Sequence, residues 1–165
     1  MKKIIILSFL AILSVSSFGQ SKFGYIDSGE LLALMPEKKT AEEELQTFAK
    51  SLESQLGAMQ AEYQQSVQDY QDNESTYTDL VKQDKIAEIQ GLEQRIQSFQ
   101  QNAQNALQEK EKELLEPILT KARNAIEDVA KEGKFTYIFD KSMGTILYAN
   151  ESENILSLVK KKLGL

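Results

Sequence analysis

From Pro36 to Lys131 the apolar residues recur at helical steps over a span far longer than an ordinary globular helix, and this leaves few folds open. Leu45, Phe48, Leu52, Leu56, Met59, Tyr63, Val67 and Tyr70 follow one another at steps of 3, 4, 4, 3, 4, 4 and 3. That is an eleven-residue repeat, the period of a straight or slightly right-handed helix pair. Further on, Ile89, Ile96 and Ala103 alternate with Leu92, Phe99 and Ala106 as a heptad. Only 2 prolines and 8 glycines occur in 165 residues, so little interrupts these runs. Between the two runs, residues 72–76 (Asp-Asn-Glu-Ser-Thr) are polar and turn-prone.

If the two runs fold back on each other, facing residues have numbers with a constant sum. A sum of 148 sets Leu45 against Ala103, Leu52 against Ile96, Leu56 against Leu92, Met59 against Ile89 and Val67 against Val81. Its centre falls at residue 74, inside the polar stretch. The pattern predicts an antiparallel helical hairpin over 37–116 with its tip near 72–76, each limb about 55 Å long. One long helix dimerising with itself is the alternative. Gly57 and Gly91 also add to 148, which would set them level midway along the arm. Glycine inside a helix costs about 0.5–1 kcal/mol relative to alanine, so both are hinge candidates; close approach of the helices is the other explanation.

The flanks read differently. Phe23 to Asp27 is strand-like, and Ser28 is placed to cap a short helix through Leu34. Pro36 fits the first turn of the next helix, with Glu37 at its positive end. Phe135 to Phe139 and Thr145 to Tyr148 are β-rich runs joined by a turn, a hairpin signal. Asn154 can cap a last helix, Ile155 to Leu163. Residues 20–36 and 117–165 together make a small α/β body, and chains of that size are marginal alone. Tyr25, Ile26, Tyr137, Phe139, Ile146 and Tyr148 are therefore candidates for a core shared between subunits. A small self-sufficient domain is the alternative. The predicted fold is mainly α with a small β part: a coiled-coil arm projecting from a β-barrel-like oligomerisation body.

Lys2 and Lys3, the apolar run Ile4 to Val15, and small residues Ser17 and Gly19 before Gln20 read as a cleavable export signal over 1–19. The run is too short for a membrane anchor, and no cysteine follows it to carry lipid. The chain has no Cys, His or Trp, so thiolate metal sites, Cys nucleophiles and His bases are excluded. A net charge of −6 argues against nucleic acid as a partner. Residues 37–116 carry 17 acidic and 8 basic side chains, and no Lys or Arg lies between Lys50 and Lys82. Glu62, Asp69, Asp72, Glu74 and Asp79 do. Those carboxylates sit on exposed helices with nothing to perturb them, so neither catalysis, nor a metal site, nor a cofactor is expected.

The order of these features resembles the Skp/OmpH family of periplasmic chaperones. It combines a signal peptide, the Phe23 to Asp27 motif, Pro36 opening a Gln-rich helical hairpin, Glu109 to Ile118, Phe135 to Asp140, and Ile146 to Ala149. The resemblance covers essentially the whole mature chain. It implies a homotrimer with a small β-barrel body and three helical arms. It further implies an ATP-independent holdase that binds unfolded outer-membrane proteins in the periplasm. Best-known members of that family carry basic arms, whereas this arm is acidic. On the arm, Phe48, Met59, Tyr63, Tyr70, Tyr77 and Phe99 are the client-contact candidates, since Met and Tyr suit repackable contacts. A coiled-coil envelope protein with one fixed partner is the competing reading.

Overall fold

The computed structural model describes residues 21–165, so the expected export signal at 1–19 lies outside the described residues. The described chain is mostly helical, with one two-stranded parallel sheet. It divides into two units: residues up to Leu31 with Ala122–Leu165, and Leu32–Lys121.

In the first unit, strand β1 (Phe23–Ile26) pairs in parallel with β2 (Tyr137–Asp140), with Phe23 opposite Tyr137 and Ile26 opposite Asp140. This corrects the sequence expectation of a hairpin between Phe135–Phe139 and Thr145–Tyr148. The second run is irregular, and the described residues form no closed barrel within one chain. The reason begins at the end of the preceding helix. Lys134 takes a left-handed backbone (φ 54°) and the Phe135 amide donates back to the Ala130 carbonyl at 2.9 Å. Phe135 thus terminates a helix rather than starting a strand. Its ring sits where two glycines leave space: a Cβ on Gly133 would come within 2.4 Å of it, and one on Gly24 within 2.9 Å. Gly133→Ala should therefore destabilise the protein by about 1–3 kcal/mol through overpacking, measured as a lowered denaturant midpoint.

Beside β1, helix α1 (Ser28–Leu34) is capped by Asp27, whose carboxylate accepts from the Glu30 amide at 3.0 Å. Ser28, the expected cap, instead donates its hydroxyl to Asp140 and so ties the helix start to the end of β2. Asn154 does cap the last helix, α4 (Leu156–Leu163), accepting from the Leu156 amide at 3.0 Å. The core of this unit contains Tyr25, Ile26, Leu31, Val129, Ile155 and Val159.

Helix α2 (Pro36–Asn73), a 3-10 turn (Glu74–Thr76) and most of helix α3 (Asp79–Glu132) form the second unit. Pro36 opens α2, where its missing amide proton costs nothing. Pro117 lies inside α3, which continues through it. Three ion pairs join the two helices: Glu37 with Lys121, Glu62 with Arg95 at 3.4 Å, and Asp69 with Lys85 at 3.3 Å. Their residue numbers add to 158, 157 and 154, so the helices run in opposite directions. The register predicted from sequence, with sums of 148, is therefore wrong by about one heptad. Gly57 and Gly91 are then not level but staggered by about seven residues, or ~10 Å. Over Ile89–Ala106 the heptad matches itself after a shift of seven, so the apolar spacing of that stretch is compatible with both registers.

Candidate functional site

Two surfaces carry the candidates, one on each unit. On the second unit, Phe48, Met59, Tyr63, Tyr70, Tyr77 and Phe99 are all half-buried. Two helices share one seam, and most seam side chains keep an edge in solvent. The large apolar residues buried on this unit are Met35, Leu92 and Ile118.

At the tip the aromatic residues are held by carboxylates. The rings of Tyr70 and Tyr77 lie 6.4 Å apart. Tyr77 donates its hydroxyl to Asp69 at 3.1 Å, and Tyr70 donates to Glu74 at 3.4 Å. Asp69 also accepts from Asn73 at 3.1 Å and pairs with Lys85, which reaches Glu88 at 3.4 Å. Asp69 is thus the hub that joins the turn to both helices. Desolvation, then the neighbouring carboxylates, push the Tyr70 and Tyr77 hydroxyls above their ordinary value. Asp69 and Glu88 likewise hold the Lys85 ammonium above its own. All three groups keep their protons longer when folded. Their stabilisation is complete below pH ~10 and is lost as pH rises through the raised values. Alkaline titration should therefore fray the tip first, seen as faster hydrogen exchange around 70–85 above pH ~10 while the rest stays protected.

On the first unit, Phe23, Tyr137 and Phe139 stack with ring centroids 6.0–6.3 Å apart. They remain open to solvent, Tyr137 at 60% and Phe139 at 48%. Ile146 is half-buried; Leu147 and Tyr148 are exposed at 98% and 86%. Tyr25 and Ile26 differ: they are enclosed by their own chain, Ile26 at 2%. The structure thus divides the six assembly candidates into two internal residues and four that reach the surface. Phe23, Met143 and Leu147 belong with the exposed set and were missed. Strand alternation offered a signal for Phe23, which shares a strand face with Tyr25.

Within each unit, charged groups pair with one another. Asp140 is disfavoured as an anion by burial, but bonds from Ser28 and Ser142 outweigh this and hold its carboxyl below the usual range. Lys162 bridges Glu132 at 2.6 Å and Asp128 at 3.3 Å. Among the described residues, no group of three His, Cys, Asp or Glu side chains is arranged to hold a metal ion. No described helix is long and apolar enough to cross a membrane.

A crystal structure from Caulobacter crescentus, of a protein assigned as an outer membrane chaperone (OmpH-like), has the same fold. The TM-score is 0.77 at 15% identity, over 87% of this chain and 84% of that one. No curated protein matches the sequence. The family model for outer membrane protein (OmpH-like) matches residues 22–163, which takes in both units and both candidate surfaces. This chain belongs to the OmpH-like family.

Proposed function

We propose that this chain is an ATP-independent holdase of the periplasm that binds unfolded outer-membrane proteins and keeps them from aggregating. The observation that carries this reading is the seam of α2 and α3, where aromatic, Met and Leu side chains stay half-exposed over the length of both helices. In this reading the two helices act as a hairpin arm. Each seam edge offers weak apolar contact, worth about 25 cal/mol per Å² covered. Three chains assemble through the exposed aromatic face of Phe23, Tyr137 and Phe139, and the arms of the trimer add their contacts by avidity. No nucleotide is needed, because client release follows from folding elsewhere rather than from a driven step.

The test is aggregation of a chemically unfolded β-barrel protein on dilution, followed by light scattering. Suppression without nucleotide, for several unrelated barrels, supports the reading. Barrels that aggregate as fast with the protein as without it would leave a coiled-coil envelope protein with one fixed partner.

Gly57 and Gly91 give the arm two soft points in this mechanism, letting it adjust to clients of different size. A Cβ at either position meets no heavy atom within 4 Å, so close approach within the chain does not explain these glycines. Gly57→Ala and Gly91→Ala should each stabilise the protein by about 0.5–1 kcal/mol and slow hydrogen exchange nearby. A narrower range of accepted client sizes in the double variant would support the hinge. An unchanged range would show that the glycines are incidental.

A further inference from the structure

We propose that the end of the α2 and α3 pair next to the 3-10 turn is a docking face for positively charged, apolar-bearing segments of unfolded protein. This builds on the holdase reading and names which segments are held, and where.

Apolar surface is open at this end. Leu80, in the first turn of α3, is exposed at 69%, and its neighbour Val81 is exposed as well. The half-buried rings of Tyr70 and Tyr77 lie just before them in the chain. A lone exposed leucine is ordinary, but Leu80 and Val81 beside two open-edged aromatic rings offer a contact that water does not satisfy.

Charge around this surface is one-sided. Residues 51–104 carry 9 acidic side chains against 3 basic ones. Two of the three cations, Lys85 and Arg95, are taken up by Asp69 and Glu62. The third, Lys82, lies about 200° around α3 from Leu80, away from it. Among the described residues, Asp72, Glu74, Asp79 and Asp84 take part in no ion pair. Asp84 follows Leu80 by four positions, which sets it beside Leu80 on the same face of α3.

Helix stability accounts for Asp79, which sits at the positive end of α3. It does not account for Asp72. That residue lies in the last turn of α2, where the helix dipole disfavours an anion and where no basic residue offsets it. Its carboxylate accepts only a neutral amide, from Gln68 at 2.8 Å. Glu74 follows directly after α2 and accepts from the Tyr70 hydroxyl. An incoming cation would relieve both anions.

The occupant that fits is a segment with Lys or Arg among apolar residues. Its ammonium or guanidinium groups meet the unpaired carboxylates and the faces of Tyr70 and Tyr77, while its apolar side chains cover Leu80 and Val81. A second copy of this end brings the same negative charge and is repelled.

Two labelled, unstructured peptides with identical apolar residues, one carrying Lys and the other Glu between them, test this by fluorescence anisotropy with the intact protein. At low salt the Lys peptide should bind at least about ten-fold more tightly than the Glu peptide. Salt near ~1 M, where screening acts within ~3 Å, should bring the two within about two-fold of each other. Asp72→Asn, Glu74→Gln and Asp79→Asn together should cut the low-salt preference several-fold. Glu44→Gln, Glu109→Gln and Glu116→Gln remove as much charge from exposed positions nearer the other end of the two helices, and should leave the preference close to native. If the first triple variant loses helix content, Leu80→Gln decides in its place and should weaken both peptides several-fold. An unchanged affinity in Leu80→Gln, or a lowered assembled mass instead, overturns the proposal. So does equal binding of the two peptides at low salt, or a second triple variant that loses as much preference as the first. Should the protein still suppress barrel aggregation in those cases, the holdase reading stands without this docking face; a protein that binds neither peptide and suppresses nothing sinks both.

Discussion

In the proposed assembly, Phe139→Asp is expected to leave single folded chains, whereas Ile26→Asp should unfold the unit that contains it. The two residues pair through neighbouring positions of the same sheet but differ in burial. Phe139 is half open, packed against the rings of Phe23 and Tyr137. A carboxylate there meets water in the single chain and would be buried only in the proposed assembly. Burying it unpaired costs several kcal/mol, enough to weaken association by more than about a hundred-fold. Ile26 is enclosed within its own chain, so the same replacement costs several kcal/mol in folding itself. Sedimentation mass and thermal unfolding separate the two outcomes. Should Phe139→Asp keep the assembled mass, the aromatic face is not where the subunits meet.

The second large effect concerns client holding. Replacing Phe48, Met59 and Tyr63 together with Gln should reduce aggregation suppression by at least ten-fold in the protein concentration required. Each side chain keeps a partly exposed edge, and in the proposed trimer three arms would multiply the loss of client contact. The same residues also pack between the helices, so the variant loses stability too, by about 1–3 kcal/mol per site. Circular dichroism at the assay temperature distinguishes these effects. A variant that is still helical and still suppresses aggregation would show that clients bind elsewhere. Isolated loss of helix would instead point to packing as the main role of these side chains, and single replacements would then be compared.

Much of this fold was legible because helix signals are local. Pro36, the 3–4 spacing of apolar residues and the Asn154 cap each act within a turn or two of the chain, and each is where the sequence places it. What depended on distant partners was read less well. Thr145–Tyr148 has strand composition, yet β2 takes its partner from β1, more than a hundred residues earlier. Phe135 has strand composition too, but a helix end, the neighbouring Gly133 and the distant Gly24 claim it. Register failed for a related reason. The heptad over Ile89–Ala106 matches itself after a shift of seven, and the pairs Glu62–Arg95 and Asp69–Lys85, which mark the register, are made of side chains that looked like ordinary solvated charge. The candidate surfaces divide the same way. Half-exposure of Phe48, Met59 and Phe99 follows from a two-helix seam and was foreseeable. The burial of Tyr25 and Ile26 depended on partners more than a hundred residues away, among them β2 and Ile155, whose amide donates to the Tyr25 carbonyl, and no local pattern announces that.

The claim on which the account turns is that the open seam of α2 and α3 is the surface that holds unfolded protein. It is tested most directly by placing a photo-crosslinking residue at Phe48, Met59 or Phe99 on the seam, and at Gln55, Gln64 or Gln71 on exposed faces of α2. Irradiation in the presence of an unfolded β-barrel protein should give client adducts from the seam positions, several-fold above those from the exposed positions. Adducts formed equally at all six positions, or only at the exposed ones, would contradict the account.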